Sequence, residues 1–323
     1  MSAKIISDYL LAASALSEGK LVALPTETVY GLGANALDEV AASKIFAAKN
    51  RPSFDPLIIH QSNWERLRAY VKEVPPAAKL LADTFWPGPL TLVLPKTDLV
   101  PELISAGLPT VAIRAPAHPL TRAVLAELNF PVAAPSANPF GFVSPTTAQH
   151  VADQLGSKID YILDGGPCVV GLESTIIGFP KGEPTIFRKG GLAVEAIEAV
   201  LGKPIAIRTH SSSRPEAPGM LSRHYSPGAP MEIFPDLSEA PESALTNARI
   251  VFNHGGQPMS IQGMTTTYDL SPSGDLAEAA RRLFTVLRQI AEQNFSYVAV
   301  VLLPETGLGR AINDRLRRAA ARE

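Results

Sequence analysis

Residues 21–33 read LVALPTETVYGLG, and this stretch sets the pattern for the rest of the chain. The apolar run Leu21–Leu24 has the length of a buried strand, and Pro25 ends it with a turn rich in hydroxyl groups and glycine. Similar short apolar runs follow at Leu57–His60, Leu90–Leu94, Pro131–Ala134 and Tyr161–Leu163, separated by helix-like stretches such as Asp38–Ala48 and His118–Leu128. Short strands that alternate with helices predict an α/β fold. We expect Ser7 and Asp38 to be N-caps.

The chain has 323 residues, which is more than one hydrophobic core usually supports, so we expect two domains. Residues 208–230 contain a serine run and several prolines without clear periodicity, which is typical of a linker. Beyond the linker, a smaller βα domain is predicted from strand and helix candidates at Met231–Phe234, Arg249–Phe252, Asp275–Gln293, Tyr297–Leu303 and Gly309–Ala321.

Composition excludes several classes of protein. The chain has 29 Lys and Arg against 31 Asp and Glu, a net charge of −2, so it lacks the basic surplus of a protein that mainly holds a nucleic-acid backbone. Cys168 is the only cysteine, which excludes an internal disulfide and a thiolate zinc cluster and favours the reducing cytoplasm. The apolar run Val298–Leu303 is far shorter than the ~18 residues that cross a bilayer, so no membrane span is expected.

Five arginines crowd the last predicted helix: Arg310, Arg315, Arg317, Arg318 and Arg322. They could form a nucleic-acid patch, but cations near the C-terminal end of a helix are more typical of a solvated helix face.

Two short polar segments stand out because the chain has no glycine-rich phosphate loop, so that side chains must supply the charge if phosphate is bound. Lys49-Asn50-Arg51 places two cations on a loop that Pro52 restrains. Being on a polar loop, Arg51 is not expected to anchor the core. Ser136-Ala137-Asn138 offers a hydroxyl and an amide from a turn between two prolines. Each segment alone is ordinary helix-end or turn chemistry.

Taken together and in order, these two segments and the stretch PTETVYGLG at 25–33 resemble the threonylcarbamoyl-AMP synthase family, whose core is a YrdC-like domain. The further motifs that carry the resemblance are DPLIIH at 55–60, WPGPLT at 86–91, TVAIR at 110–114, ESTII at 173–177, Arg188 before Gly190, and PGM at 218–220 with HYSP at 224–227. The resemblance spans about residues 20–227. Residues 231–323 agree with the family's long form in length and βα pattern.

The resemblance implies an α/β protein with a twisted-sheet YrdC-like catalytic domain and concave cavity over residues 1–207, a linker or lid over 208–230, and a small Rossmann-like domain over 231–323. It implies a reaction of L-threonine, bicarbonate or CO2, and ATP that gives L-threonylcarbamoyladenylate and pyrophosphate. A tRNA threonylcarbamoyl transferase complex would consume the product. Mg²⁺ is expected to accompany the ATP, with no metal held by the protein itself, and direct tRNA binding stays open.

The resemblance also implies roles for individual residues. The catalytic set around the phosphates is Lys49, Arg51, Ser136 and Asn138, and the ATP-binding set adds Asp55, Thr110, Ser144, Arg188 and Tyr225. Tyr225 would come from the linker and fold over the nucleotide. The L-threonine-binding set is Thr28, His60, Arg114, the backbone at Ala134, and Ser174. An arginine such as Arg114 suits the role of a bidentate clamp for an amino-acid carboxylate.

Two other readings stay open. A carbamoyltransferase with a YrdC-like module would bring zinc-finger cysteines, and one cysteine argues against it. An RNA-binding module is the non-enzyme alternative, and the net charge of −2 counts against it.

Overall fold

The computed structural model describes residues 2–208, 217–218, 220, 225–236, 248–253, 266–293 and 295–321. The chain forms two compact units. The first consists of Met1–Phe140, Ser144–Val169 and Glu173–Leu221, and the second of Gly141–Val143, Val170–Leu172 and Ser222–Glu323. The predicted domain boundaries at 207 and 231 stay a prediction.

The first unit is built on one large mixed sheet. Its described strands are β1 (Lys4–Ile6), β2 (Val22–Leu24), β3 (Gly31–Asn35), β4 (Ile58–His60), β5 (Leu90–Pro95), β6 (Thr110–Arg114), β7 (Val132–Ala133), β8 (Tyr161–Leu163), β9 (Thr175–Gly178), β10 (Thr185–Arg188) and β11 (Ala206–Ile207). They lie in the order β1-β8-β2-β3-β7-β4-β6-β5-β9-β10-β11. The centre of the sheet therefore consists of β3, β7, β4 and β6, which come from distant parts of the sequence.

Helices pack against this sheet and complete its core. The described ones are α1 (Tyr9–Ser17), α2 (Glu39–Lys49), α3 (Trp64–Leu67), α4 (Pro76–Phe85), α5 (Glu102–Ser105), α6 (Pro119–Glu127), α7 (Ala148–Leu155) and α8 (Val194–Leu201). Asp38 caps α2 as predicted, since its carboxylate accepts from the N–H groups of Val40 and Ala41. The Ser7 prediction is wrong, because Asp8 lies one residue nearer the helix and accepts from the first turn instead.

Strand register places two predicted site residues side by side. In the parallel pair β4 and β6, His60 lies opposite Arg114, at the C-terminal end of both strands. On the other side of β4, His60 lies opposite Val132 of the antiparallel strand β7. The chain leaving β7 is held there by a bond from the Ala134 N–H to the Ile58 carbonyl, 3.0 Å. His60 and Arg114 are therefore neighbours at one end of β4, and the chain that leaves β7 passes the other end of this short strand.

The second unit has its own sheet of four described strands: β12 (Met231–Phe234), β13 (Ala248–Val251), β14 (Thr266–Asp269) and β15 (Val298–Val301). They lie in the order β12-β15-β13-β14, and every pairing is parallel. Its described helices are α9 (Leu276–Gln293) and α10 (Gly309–Ala320). A parallel sheet with helices confirms the prediction of a smaller βα unit, and the two sheets together confirm the predicted α/β class. Across the described ranges, no helix is long and apolar enough to span a bilayer.

The last helix departs from the prediction of a solvated basic face. Arg315 is fully buried and Arg318 is 3% exposed, while Arg317 is exposed. Asp314 accounts for the two buried cations, with Arg315 Nη1 at 3.2 Å and Arg318 Nε at 3.0 Å from its Oδ2. That expectation is therefore wrong for Arg315 and Arg318, because a paired carboxylate on the same helix allows them to be buried. Arg322 lies outside the described residues.

Candidate active site

A cavity opens at the loop ends of the central strands of the first unit. The empty space within it and in the open solvent in front of it is about 350 Å³. The lining residues come from the β2–β3 loop and the strand ends beside it, from the ends of β4 and β6, from the segment after β7, and from α6. They are Leu24, Thr26, Val29, Gly31, His60, Arg114, Thr121, Ala134 and Ser136. Three of the five residues predicted to bind threonine, His60, Arg114 and Ala134, therefore line one cavity, and the predicted catalytic residue Ser136 lines it with them.

His60 is a neutral residue of this cavity at ordinary pH. Its side chain is buried, and burial, together with the nearby positive charge of Arg114, lowers its pKa to about 3. Its Nδ1 atom has no hydrogen-bond partner within the part of the chain that the structure describes. A neutral imidazole next to a guanidinium offers a polar group to a ligand without adding a second positive charge.

Arg114 is buried as an ion pair with a carboxylate that sequence reasoning did not assign. Its Nη2 lies 2.6 Å from Oε1 of Glu27, and its Nε donates to the Gly88 carbonyl at 3.2 Å. The other Glu27 oxygen accepts from the Ala117 N–H at 2.9 Å. Burial alone would raise the pKa of Glu27, but the Arg114 charge and the hydrogen bonds outweigh it and lower the pKa below its ordinary value.

Lys49 ties the two predicted phosphate-binding segments together. Its side chain is buried, and its ammonium donates to the backbone carbonyls of Ser136 and Asn138. The Phe140 N–H donates in return to the Lys49 carbonyl at 2.8 Å. Burial, with Arg51 nearby, holds the pKa of Lys49 well below its usual value. Because an ammonium has three donors, two hold the turn and one stays available to a ligand.

Arg51 and Asp55 form a buried ion pair beside Lys49. Arg51 Nη2 lies 2.9 Å from Oδ2 of Asp55, and the two side chains are 7% and 4% exposed. Arg51 also donates to the carbonyls of Asp55 and Pro56, at 3.2 and 2.9 Å. Burial raises the pKa of Asp55, although the Arg51 charge opposes this. The Arg51 side chain is therefore held by polar contacts with Asp55 and Pro56, and the expectation that it does not anchor the core stays a prediction.

Ser174 and Arg188 belong to a second polar cluster at the start of β9. The Ser174 hydroxyl shares a hydrogen bond with the Thr91 hydroxyl, 2.7 Å, and accepts from Arg188 Nη2 at 3.1 Å. Arg188 Nε donates to the Ser174 carbonyl at 3.1 Å, and its Nη1 to the Pro218 carbonyl at 3.3 Å. Gly190 permits this arrangement, because a Cβ there would lie 2.3 Å from the Glu173 carbonyl oxygen. These contacts bring together one residue predicted for threonine and one predicted for ATP.

The remaining predicted residues of the first unit have different surroundings. Thr28 is buried, and its hydroxyl lies 2.7 Å from that of the cavity residue Thr26. The buried Ser144 donates to Oε1 of Glu173 at 2.6 Å. Thr110 lies at the opposite end of β6 from Arg114, about 13 Å away at ~3.3 Å per residue. The ligand contacts expected of these residues stay predictions.

Tyr225 belongs to the second unit. Its ring is buried and stacks on Phe284 of α9, with ring centroids 5.4 Å apart. The guanidinium carbon of Arg315 lies 5.7 Å from the centroid of the Tyr225 ring. Its N–H donates to the Gly141 carbonyl at 3.0 Å. Residues 209–216, 219 and 221–224 of the predicted lid lie outside the described residues, so the lid and the Tyr225–nucleotide contact stay predictions.

Sequence reasoning missed Glu27, Thr121 and Glu173 as parts of these clusters. Glu27 and Glu173 lie inside motifs that were recognised, PTET and ESTII, and the signal available was a carboxylate inside an otherwise uncharged motif. Thr121 carries no such signal, since it is one of several polar residues of α6. Within the described ranges, no group of three or more His, Cys, Asp and Glu side chains is placed to hold a metal ion.

Comparison with known proteins shows what the whole chain is similar to. The family model described as "Telomere recombination" matches residues 14–190, and the one described as "Threonylcarbamoyl-AMP synthase, C-terminal domain" matches residues 192–321. Threonylcarbamoyl-AMP synthase of Pyrococcus abyssi is 43% identical over 320 residues, with 96% of this chain and 93% of that protein covered. The Bacillus subtilis protein of the same name is 40% identical, with 96% and 92% covered.

A solved structure extends the likeness to three dimensions. The crystal structure of P. abyssi Sua5 complexed with L-threonine matches with a TM-score of 0.89 and 40% identity, and covers 99% of this chain and 98% of that one. Since the matches run through both units, the chain belongs to the threonylcarbamoyl-AMP synthase family.

Proposed function

We propose that this protein makes L-threonylcarbamoyladenylate from L-threonine, bicarbonate or CO2, and ATP, and releases pyrophosphate. The threonine nitrogen forms a bond to the carbon of CO2 and loses a proton, or reacts with bicarbonate and releases water, and either reaction gives a carbamate. A carbamate oxygen then attacks the α-phosphorus of ATP as the bond to pyrophosphate breaks. The observation that carries the proposal is the cavity that joins Arg114, a carboxylate clamp, to Ser136, whose turn is tied to Lys49.

The threonine end of the cavity suits an amino acid with a hydroxyl side chain. Arg114 offers guanidinium donors to the carboxylate. His60 is neutral because its pKa is about 3. Its imidazole and the hydroxyl groups of Thr26 and Thr28 supply both hydrogen-bond donors and acceptors. In our proposal Ala134 contributes through its backbone and Ser174 completes the set. The co-crystallised L-threonine of the P. abyssi protein supports this choice of substrate.

The phosphate end needs positive charge that is in place before the reaction. We assign Lys49 and Arg51 to the α-phosphate and the departing pyrophosphate, since each is held by backbone carbonyls and retains an N–H group for a ligand. Ser136 and Asn138 orient the nucleotide. Asp55 acts mainly by holding Arg51, and Thr110, Ser144, Arg188 and Tyr225 are assigned to the rest of the nucleotide.

The partners follow from this chemistry. Mg²⁺ would arrive with ATP as part of the substrate and neutralise phosphate charge. The product is an acyl phosphate that hydrolyses in bulk water, so a tRNA threonylcarbamoyl transferase complex should take it up directly. We assign the protein to the cytoplasm, where ATP and tRNA are present.

The test is to mix the purified full chain, ATP, Mg²⁺ and labelled bicarbonate with L-threonine, L-serine or L-valine, and to detect the labelled adenylate by mass. Threonine should give the most product. Valine should lose about 1–3 kcal/mol of transition-state binding, because it leaves a buried polar group unpaired. Serine lacks one methyl group, worth about 1 kcal/mol, and should be the better of the two poor substrates.

Omitting bicarbonate is the control for carbamate formation, since adenylation of threonine itself would not need it. Equal turnover of the three amino acids would reject the threonine assignment. An adenylate of threonine that forms without bicarbonate, or that carries no label when labelled bicarbonate is present, would reject the carbamate route.

A further inference from the structure

We propose that Glu27 is a positioning residue for the amino-acid substrate: it holds one edge of the Arg114 guanidinium and leaves the adjoining edge for a carboxylate. The inference rests on the proposed function, and it concerns a residue to which that proposal gives no role. Its basis is the set of bonds that the five guanidinium N–H groups make or leave free.

Two of the three guanidinium nitrogens of Arg114 donate hydrogen bonds. Nε and Nη2 point to the same side of the planar group, and they donate to the Gly88 carbonyl and to Glu27 Oε1. Nη1 makes no hydrogen bond within the described part of the chain. The edge formed by Nη1 and the second N–H of Nη2 can therefore take a carboxylate in the bidentate geometry that arginine favours. Arg114 lines the cavity where that carboxylate would lie.

Glu27 can hold this position because it is itself fixed. It is 6% exposed, and its second oxygen accepts from the Ala117 N–H, three residues beyond Arg114. The β2–β3 loop, which contains Glu27, is held by a second hydrogen bond, from the Thr121 hydroxyl to the Pro25 carbonyl. One carboxylate thus orients the guanidinium and joins the β2–β3 loop to the segment that follows β6.

Neutralising the buried charge of Arg114 before substrate arrives has a further effect. A buried guanidinium with no partner is costly, and it would attract any anion, including a phosphate of ATP. With Glu27 in place, the pair is neutral, and selection depends on the shape of the free edge rather than on charge alone. Glu27 should therefore affect threonine binding much more than ATP binding.

The experiment compares Glu27→Gln and Glu27→Asp with the wild type in the full-chain adenylate assay, with KM measured separately for L-threonine and ATP. Gln cannot accept from both Arg114 and Ala117, because one of its two terminal atoms is a donor. We expect the threonine KM to rise about 10- to 100-fold, as for a misplaced binding group, with the ATP KM changed less than about threefold. Asp keeps the charge and should recover part of the loss.

Two further variants keep the test decisive. Glu183→Gln is the matched control, because it removes an exposed carboxylate paired with Lys203 at 2.7 Å and should leave both KM values unchanged. Because Glu27→Gln alone leaves a buried cation unpaired and could impair folding, Glu27→Gln/Arg114→Gln removes both charges. The double variant should bind threonine no worse than Arg114→Gln alone, since Glu27 acts only through Arg114.

A threonine KM that stays within threefold in folded Glu27→Gln, or KM values for threonine and ATP that rise together, would overturn the positioning role. So would a Glu27→Gln effect of full size in the Arg114→Gln background. A wild type that makes no adenylate would instead reject the proposed function, so the two failures are distinguishable.

Discussion

His60→Asn should change how the stability of the first unit depends on pH. Burial and the nearby Arg114 charge lower the His60 pKa from 6.5 to about 3 in the folded chain. Between these two values the unfolded chain binds a proton at this residue and the folded chain does not. Acid therefore favours the unfolded state, and stability that is present above pH 6.5 is lost as the pH falls towards 3.

The size of the effect follows from the two pKa values. Each pH unit below the unfolded pKa costs about 1.4 kcal/mol for one proton. Between about pH 7 and about pH 5, His60 should therefore cost the wild type about 2 kcal/mol of unfolding free energy. Asn does not titrate, so the stability of the wild type relative to His60→Asn should fall by this amount. The figure requires only that the folded pKa lies below about 4.

The assay is urea unfolding of both full-length proteins at the two pH values, followed by tryptophan fluorescence. The chain has two tryptophans, Trp64 and Trp86, and both lie in the first unit with ring centroids 5.8 Å apart, so the signal reports the unit that contains His60. Equal losses of stability on acidification in both proteins would refute the reasoning. An imidazole resonance, assigned to His60 by its absence in the variant, that titrates near pH 6.5 would refute it independently.

Buried groups lead to two further predictions, one for a substitution at Arg51 and one for the reactivity of Cys168. Arg51→Ala should reduce adenylate formation by about 10²–10³, and should cost about 3–5 kcal/mol of stability, because it leaves Asp55 buried without its partner. Adding Asp55→Asn should restore stability in thermal unfolding without restoring activity, and a parallel return of both would contradict the assigned role. The Cys168 thiol is buried with its pKa raised to about 12, so it should not react with a thiol reagent at about pH 8 in the native protein. Fast labelling before unfolding would show that the thiol is exposed.

The pattern of strands and helices was the most predictable part of the molecule. Tyr161–Leu163 and Met231–Phe234 have the predicted bounds, and α2 differs from Asp38–Ala48 by one residue at each end. Local periodicity and capping decide such elements. Strand β14 was missed, because its sequence TTYD lacks the apolar residues by which the other strands were recognised.

Which residues meet at the cavity could not be predicted from periodicity. His60 and Arg114 are neighbours because β4 and β6 pair in parallel with these residues in register. Nothing within either strand fixes that pairing, since register depends on the whole sheet. The resemblance to a family predicted that His60 and Arg114 share a site, and the strand register explains why they are neighbours.

The larger gap between sequence and structure concerns buried charge. A net charge of −2 conceals the buried charges of the candidate site, which are the ion pairs Glu27–Arg114 and Arg51–Asp55 and the buried lysine Lys49. Sequence rules assign such residues to the surface, because burial of an unpaired charge is costly. Here backbone carbonyls and carboxylates balance the cations before any ligand binds, and each cation keeps at least one donor in reserve. Such a site meets a carboxylate or a phosphate with groups already oriented, so little of the binding free energy is lost in rearranging the protein.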